Sequence, residues 1–311
     1  MKAVRIHRYG NTNVLAFEDA PKPSITDQDV LIRVVATSVN PVDWKIREGY
    51  LQEIISYDMP LTLGWDVSGV IAAVGTDVSD FNVGDAVYSR PDINRNGAYA
   101  ELVAVRACEI AHKPKTISHN EAASVPLVGI TAWEVLINCA EISAGQRVLI
   151  HAGSGGVGTL AIQLAKSQGA YVITTTSEKN RALVESLGAD QVIDYNKQNF
   201  AEIINNIDVV FDTLGGKILD SSWSVLKQGG ILVSIASPPS EVKAKELGVR
   251  CAFVFIEPNA YILLQLAKLI DQGKIRPIVG AEFALKNIQK AHTLSASGHA
   301  VGKIVLSVGQ P

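Results

Sequence analysis

The chain has 311 residues, of which 47% are hydrophobic and 19% are charged, and its formal net charge is −3. This length exceeds that of one typical domain and the apolar content suits a large core, so we expect two folded domains. The charge balance shows no basic surface for nucleic acid, and no run of about 18 apolar residues predicts a membrane span, so we expect neither kind of partner.

The N-terminal part, up to about Asn120, is predicted to consist of closely spaced strands separated by turn residues. These runs are KAVRIHRY (2–9), DVLIRVVATSVN (29–40), DVSGVIAAVG (66–75), GDAVYS (84–89) and GAYAELVAV (97–105). A short helix is predicted between Pro41 and Glu48. The pattern favours a compact, mostly antiparallel barrel or sandwich. Because the first residues enter a strand pattern without a signal-peptide core, we expect a cytoplasmic protein.

After about Glu121 the pattern changes to strands that alternate with amphipathic helices. The strand runs are RVLIHA (147–152), AYVITTT (170–176), QVIDY (191–195), IDVVFDTL (207–214), GILVSIA (230–236) and RCAFVFI (250–256). Their apolar centres predict a doubly wound parallel sheet covered by helices on both faces. The last runs, PIVGAEFAL (277–285) and GKIVLSV (302–308), resemble the first region, so we expect the chain to return to it.

A glycine-rich loop follows the first of these strands. Gly153, Gly155 and Gly158 match the spacing G-x-G-x-x-G, between a strand and a helix, as a dinucleotide fold requires. Without Cβ atoms, glycines let backbone N–H groups approach a pyrophosphate at the helix N-terminus. The predicted cofactor-binding loop comprises Gly153, Ser154, Gly155, Gly156, Val157 and Gly158. The alternative is an ordinary glycine-rich turn, which this strand–loop–helix order disfavours.

The tip of the second strand, TTTSEK (174–179), bears on which nicotinamide cofactor is used. An enzyme that uses NAD usually has Asp or Glu at this tip to bind the ribose 2′-hydroxyl. Here Ser177 can hydrogen-bond a 2′-phosphate and Lys179 can supply positive charge, which favours NADP(H). Glu178 leaves the alternative open, because a small shift in register would bring its carboxylate to the ribose.

The cysteines give no sign of a disulfide framework or of a cysteine-rich metal site. Cys108, Cys139 and Cys251 are far apart in the sequence and form no C-x-x-C pair. We expect them to be buried free thiols.

Several motifs together give the sequence a resemblance to a known family. They are SVNPVDWKIREG (38–49), LGWDVSGVIAAVG (63–75), FNVGDAVY (81–88), GAYAE (97–101), LVGITAWEVL (127–136), HAGSGGVG (151–158), LGADQVIDY (187–195) and GHAVGKIVL (298–306). The chain resembles the zinc-independent quinone oxidoreductase branch of the medium-chain dehydrogenase/reductase superfamily. The resemblance implies an α/β fold with a GroES-like, β-rich catalytic domain (1–122 and 275–311) and a Rossmann dinucleotide-binding domain (123–274).

The resemblance also implies roles for individual residues. Asn40 and Thr131 are expected near the nicotinamide, and Tyr195 is expected with Ser177 and Lys179 around the 2′-phosphate. Asn40 and Tyr50 are the candidate donors to the acceptor oxygen, where charge develops during reduction. The alternatives are that Asn40 caps the short helix and that Tyr50 packs against the barrel.

We expect no zinc site. Zinc-dependent members of the superfamily use a set of Cys, His and Glu or Cys ligands, whereas NPVDWK (40–45) has no thiol and Gly64-Trp65-Asp66 replaces Gly-His-Glu. Asp43 and Asp66 alone do not make a tetrahedral zinc site.

The function implied by the resemblance is zinc-independent hydride transfer from NADPH to a quinone. One alternative is a 2-alkenal or 2-alkenone reductase, and another is an NADPH-binding sensor or structural protein with little turnover. The family also implies a homodimer, and the apolar run RCAFVFI (250–256) is the expected contact.

Overall fold

The computed structural model describes residues 1–310, which form two compact units. The first unit contains 1–127, 257–273 and the residues from 277 onward, and the second contains 128–256 and 274–276. Within residues 1–310, no helix has the length and apolarity needed to cross a membrane.

The N-terminal part of the first unit consists mainly of short strands. They are β1 (Lys2–Ile6), β2 (Ala16–Asp19), β3 (Asp29–Val39), β4 (Leu61–Thr62), β5 (Val67–Val74), β6 (Ala86–Ser89), β7 (Leu102–Arg106) and β8 (Ile110–His112). The predicted short helix is present as α1 (Pro41–Arg47), with Pro41 at the first helical position, where its missing N–H costs no hydrogen bond. Helix α2 (His119–Ala123) follows, and then helix α3 (Pro126–Trp133), most of which belongs to the second unit, continues into a π-helical turn (Glu134–Cys139).

The second unit is built on a six-stranded parallel sheet. Its strands are β9 (Arg147–Ile150), β10 (Tyr171–Thr176), β11 (Gln191–Asp194), β12 (Ile207–Asp212), β13 (Leu226–Ser234) and β14 (Arg250–Phe253). The connecting helices are α4 (Gly156–Ser167), α5 (Arg181–Ser186), α6 (Phe200–Ile203), α7 (Gly216–Ser222) and α8 (Glu241–Leu247). The strand order is β11-β10-β9-β12-β13-β14 and every neighbouring pair is parallel. This order is the Rossmann order 3-2-1-4-5-6, which confirms the predicted doubly wound sheet.

Helices cover both faces of this sheet. Ile173 of β10 belongs to an apolar cluster that includes Phe200 of α6 and Leu219 of α7. The next residue, Thr174, points to the opposite face, where a Cβ added at Gly153 would meet both Thr174 and Ile162 of α4. Helix α4 therefore packs on the face opposite to α6 and α7.

The C-terminal segment belongs to the first unit, as the sequence predicts. It comprises β15 (Val279–Ala284), α10 (Ile288–Ala296) and β16 (Lys303–Ser307), and helix α9 (Ala260–Asp271) precedes it. Strand β16 pairs with β3 in antiparallel register, with Ile304 opposite Val39. The resulting sheet has the path β15-β16-β3-β5-β6-β8, with β7 also paired to β3, and a second sheet has the order β2-β1-β4. Among the described residues of the first unit, only β15 and β16 pair in parallel, so this unit is mostly antiparallel, as expected.

Helix α9 lies in the first unit, whereas the sequence places it with the dinucleotide-binding domain. The hydroxyl of Tyr88 on β6 donates to the carbonyl of Leu263 on α9, and the buried side chains of Leu263 and Leu266 lie on the same helix. The boundaries of the functional domains, 1–122 with 275–311 and 123–274, stay a prediction.

Two local expectations are wrong. The run 97–105 was expected to be one strand, but only its second half belongs to β7, because the N–H groups of Gly97 and Tyr99 instead donate to the carbonyls of Thr62 and Leu63. The cysteines are free, as expected, but Cys108 is exposed because it lies in a tight turn whose next residue, Glu109, points inward. The other two are half-buried.

Candidate active site

The glycine-rich loop joins β9 to α4, and its glycines serve two different purposes. A Cβ at Gly153 would lie 2.0 Å from the Thr174 hydroxyl, and one at Gly158 would lie 2.4 Å from the Ala152 carbonyl, so both glycines permit close packing within the protein. A Cβ at Gly155 would meet only the Ala152 carbonyl, at 3.3 Å. The space beside Gly155 is therefore open to a ligand.

The N-terminus of α4 suits an anion. Gly155 is the N-cap residue and no side chain caps the helix, so the first N–H groups of α4 have no side-chain acceptor. Backbone N–H groups at a helix N-terminus bind phosphate groups well, and the helix dipole adds to the attraction. Together with the open side of Gly155, this geometry fits the pyrophosphate of a dinucleotide.

Polar side chains gather where β10 ends, next to the loop. The Thr176 hydroxyl donates to the Ser154 hydroxyl oxygen at 2.9 Å, and the Asn180 amide donates to the same oxygen at 3.1 Å. The Asn180 amide also lies 3.4 Å from the Ser177 hydroxyl. Because the Ser154 oxygen accepts two hydrogen bonds, its own hydrogen remains available for a ligand. The structure thus brings together two of the predicted cofactor-binding residues, Ser154 and Ser177.

The other predicted residues of this tip surround the same place. Lys179 is exposed in the short turn after Ser177. Tyr195 follows β11, its side chain is exposed, and its N–H donates to the Thr176 carbonyl at 3.3 Å. A serine hydroxyl, a lysine and an aromatic ring therefore lie at the ends of two adjacent strands.

Glu178 is engaged by neighbouring cations. Its carboxylate accepts a hydrogen bond of 2.8 Å from Nε of Arg181 and lies 3.7 Å from Nζ of Lys197. The hydrogen bond from Arg181 is the largest influence that lowers the pKa of Glu178. The carboxylate is consequently ionised and paired at neutral pH.

The side chains of His151 and Asp212 form buried hydrogen bonds close to the glycine-rich loop. The His151 ring is fully buried between the hydroxyls of Thr175 (3.1 Å) and Ser222 (3.0 Å), and burial lowers its pKa to about 4. At the end of β12, the Asp212 carboxylate accepts hydrogen bonds from the N–H of Gly215 and from the hydroxyl of Ser234. Both side chains therefore have a structural role, because their hydrogen bonds fix the backbone at the ends of β9 and β12.

In the first unit, Asn40 belongs to a buried cluster around Asp66. The Asn40 amide donates to Oδ2 of Asp66 at 2.7 Å, and its carbonyl oxygen accepts a hydrogen bond from the Lys303 ammonium. Lys303 also reaches Asp66 Oδ2 at 3.2 Å, and Ser38 donates to the same oxygen at 2.6 Å. Asn40 is at the N-cap of α1 and fully buried, so its amide is held in one orientation by two charged partners.

A second buried network lies beside it. Asp43 accepts the Asn40 N–H at 2.7 Å and the Tyr99 hydroxyl at 2.8 Å, and the Tyr99 oxygen lies 3.3 Å from the His292 ring. Burial raises the pKa of Asp43 to about 7 and lowers that of His292 to about 3. The His292 ring is therefore neutral, and it lies 3.0 Å from the buried Arg47 guanidinium.

The remaining two predicted residues are Tyr50 and Thr131. Tyr50 is 66% exposed and its ring packs edge-on against Trp44, with centroids 6.1 Å apart. Thr131 is buried in α3 and belongs to the second unit.

The residues at the place of a zinc site in related dehydrogenases do not fit the metal. Both Asp66 oxygens already accept hydrogen bonds, and the Lys303 ammonium supplies the positive charge that a metal would bring. Trp65, at the position of a histidine ligand, is fully buried and donates to the Arg95 carbonyl. Within residues 1–310 no group of three or more His, Cys, Asp or Glu side chains is placed to hold a metal ion.

Several residues of these sites are not identified by the sequence alone. Asn180 and Arg181 look like ordinary polar residues at the start of a helix, and their roles depend on contacts with Ser154 and Glu178. Lys303 lies in GHAVGKIVL (298–306), one of the motifs that carry the family resemblance, and this motif is the sequence feature that points to it. Its partners are more than 230 residues away in the sequence, so the pairing is visible only in the fold.

Comparison with known proteins agrees with this geometry. Residues 26–115 match the alcohol dehydrogenase GroES-like domain, and 187–306 match the family described as zinc-binding dehydrogenase. The chain is 38% identical over 320 residues to the NADPH-dependent alkenal/one oxidoreductase, chloroplastic, of Arabidopsis thaliana, covering 98% of this chain and 79% of that protein. It is 34% identical over 353 residues to the mitochondrial NAD(P)H oxidoreductase RTN4IP1 of Danio rerio, covering 99% and 91%.

A solved structure extends the likeness to the fold. The quinone oxidoreductase from Coxiella burnetii superposes with a TM-score of 0.93 at 36% identity, covering 99% of each chain. The predicted combination of a GroES-like domain and a Rossmann-like parallel sheet is confirmed. The chain is an oxidoreductase that belongs to the medium-chain dehydrogenase/reductase superfamily.

Proposed function

We propose that this oxidoreductase is an NADPH-dependent, zinc-independent quinone oxidoreductase. The observation that supports it most is the group of Ser154, Ser177 and Asn180 at the end of β10, beside the open face of Gly155. Hydroxyl and amide donors suit a 2′-phosphate, whereas a free carboxylate would suit the 2′-hydroxyl of NADH. The quinone oxidoreductase from Coxiella burnetii shares the fold over nearly the whole chain.

In this proposal the second unit binds the cofactor. The loop from Gly153 to Gly158 and the N-terminus of α4 hold the pyrophosphate, while Ser177, Lys179 and Tyr195 hold the 2′-phosphate. When bound, NADPH supplies the hydride, so the protein has to position two flat molecules and exclude side reactions.

The acceptor oxygen gains negative charge during reduction and needs a hydrogen-bond donor. Asn40 and Tyr50 remain the proposed donors, with Thr131 near the nicotinamide. Tyr50 is exposed and its hydroxyl hydrogen-bonds Glu48, whereas the Asn40 amide is buried and held by Asp66 and Lys303. The Lys303 ammonium bonded to the amide oxygen strengthens the remaining Asn40 N–H as a donor, because hydrogen bonds in a chain polarise one another.

A second candidate function is reduction of 2-alkenals or 2-alkenones. It is favoured by the 38% identity to the NADPH-dependent alkenal/one oxidoreductase of Arabidopsis thaliana. The cofactor site would be the same, and only the acceptor would differ. A third candidate is an NADPH-binding protein with little turnover. It differs from the other two because it would bind NADPH without consuming it.

The test is a fluorescence titration of the purified protein with NADPH and with NADH, repeated for Lys179→Ala. We expect NADPH to bind at least about tenfold more tightly and the substitution to narrow that gap, since one charge-assisted contact is worth roughly tenfold in affinity. NADPH consumption is then measured with a panel of quinones and enones. Consumption with enones alone would replace the quinone assignment, and binding without consumption would favour the non-catalytic candidate.

The cytoplasmic location and the homodimer stay predictions. Strand β14 lies at the edge of the parallel sheet and presents Phe253 to solvent, as an interface between two copies would require.

A further inference from the structure

Glu178 conflicts with the proposed use of NADPH. It directly follows Ser177 at the end of β10, close to the place where enzymes that use NAD position a carboxylate for the ribose 2′-hydroxyl. A free carboxylate there would attract NADH and repel the 2′-phosphate of NADPH. The protein therefore needs a reason why this carboxylate does not act on the cofactor.

The reason lies in the partners of the carboxylate. Arg181 donates from Nε to Oε1 at 2.8 Å and from Nη2 to Oε2 at 3.4 Å, so its guanidinium spans both oxygens. Lys197 approaches Oε2 at 3.7 Å from the segment after β11. Both oxygens face cations of the protein rather than the Ser154 and Ser177 hydroxyls.

Arg181 is itself fixed in place. Its Nη1 donates to the Val192 carbonyl of β11 at 3.3 Å and lies 3.6 Å from the Glu185 carboxylate. Its side chain is only 32% exposed, against 51% for Glu178. A guanidinium anchored to a strand loses less conformational entropy in pairing than one on a freely moving surface side chain.

We propose that Arg181 is a specificity-determining residue for NADPH, which acts by binding and neutralising Glu178 and so withholding that carboxylate from the adenosine ribose. This inference rests on the proposed preference for NADPH. Arg181 acts through Glu178 and not by contact with the phosphate, and this difference makes the proposal testable.

The experiment is a double-mutant cycle read by fluorescence titration with NADPH and NADH. Its variants are Arg181→Gln, Glu178→Gln and the double substitution. We expect Arg181→Gln to reduce the NADPH:NADH affinity ratio about tenfold, since it frees a charge beside the 2′-phosphate. Glu178→Gln should keep or raise the ratio, and the double variant should recover the ratio of Glu178→Gln. Arg8→Gln, which removes an exposed arginine of the first unit, is the matched control and should change nothing.

Two results would overturn the role of Arg181. One is an unchanged ratio in Arg181→Gln, which would mean that Glu178 has no access to the cofactor. The other is that Arg181→Gln weakens NADPH binding by the same factor in the unsubstituted protein and in the Glu178→Gln variant. That result would mean that Arg181 binds the phosphate directly. Equal binding of NADPH and NADH by the unsubstituted protein is a different result, which would overturn the proposed cofactor together with this role.

Discussion

At the residue scale, the ion pair between Lys303 and Asp66 places two charges in the interior of the first unit. Both side chains are almost completely removed from solvent, and the ammonium has three oxygen partners: the Val39 carbonyl, Asn40 and Asp66. Removing one charge of such a pair leaves the other buried without compensation. The pair therefore constrains how Asn40 and Asp66 can be arranged.

We expect Lys303→Met to lower the free energy of unfolding by about 3–5 kcal/mol, the usual cost of breaking a buried ion pair from one side. Urea unfolding followed by tryptophan fluorescence measures the change. The double variant Lys303→Met/Asp66→Asn should regain part of the loss, because it removes both charges. Lys286→Met, at an exposed lysine, should stay close to the unsubstituted protein, and an equal effect of the two single substitutions would contradict the prediction.

The position of Ser177 and Lys179 at the end of β10 can be predicted from the sequence, because both residues follow an apolar strand in the order of a dinucleotide fold. Arg181 is a local partner of Glu178, three residues further along the chain, whereas the approach of Lys197 cannot be predicted because it depends on the register of β10 and β11, in which Thr176 lies opposite Asp194. Register is set by the hydrophobic pattern of both strands and by the geometry of their connection, so residues 174–179 alone do not determine it.

At the scale of an element, the loop between β9 and α4 combines a structural glycine with one that is proposed to face the cofactor. Gly153 faces the Thr174 hydroxyl inside the protein, whereas Gly155 faces open space. The same substitution at the two positions should therefore have different consequences.

We expect Gly153→Ala to destabilise the second unit by about 1–3 kcal/mol, because its Cβ would lie 2.0 Å from Thr174 Oγ1 and force the helix or strand to shift. Gly155→Ala should change the free energy of unfolding by no more than about 0.5 kcal/mol. The same substitution should weaken NADPH binding about tenfold or more. Thermal unfolding and NADPH titration of both variants check this. Normal NADPH affinity in Gly155→Ala would mean that the pyrophosphate does not approach this side of the loop.

Elements with a strong pattern are the ones that the sequence predicts well. All six strands of the parallel sheet were expected, because each has an apolar centre between turn residues. The helices α8 and α10 were not, since each is short and largely polar on its exposed side. The run 97–105 misleads because its alternation fits a strand, while Gly97 instead packs against the backbone of Leu63 and Gly64.

At the scale of the whole molecule, buried titratable groups of opposite effect set the dependence of stability on pH. His151 and His292 have pKa values lowered by burial from 6.5 to about 4 and about 3, so unfolding makes each bind a proton below pH 6.5. Asp43 has a pKa raised by burial from 3.8 to about 7, so unfolding makes it release a proton between those values. Across pH 6 to 4.5, two protons are bound and one is released, a net uptake of one proton on unfolding.

We expect the free energy of unfolding to fall by about 1.4 kcal/mol for each pH unit on acidification from pH 6 to 4.5, the effect of one proton. The half-buried His119, whose pKa burial lowers to about 4, also binds a proton on unfolding, so it adds a further loss of the same sign. Urea unfolding at several pH values measures the slope. His292→Gln should flatten the slope because it removes one proton taken up on unfolding, and Asp43→Asn should steepen it because it removes the proton released. The two substitutions thus move the slope in opposite directions, and a common direction would show that the charges of these two buried side chains do not govern the acid stability of the fold.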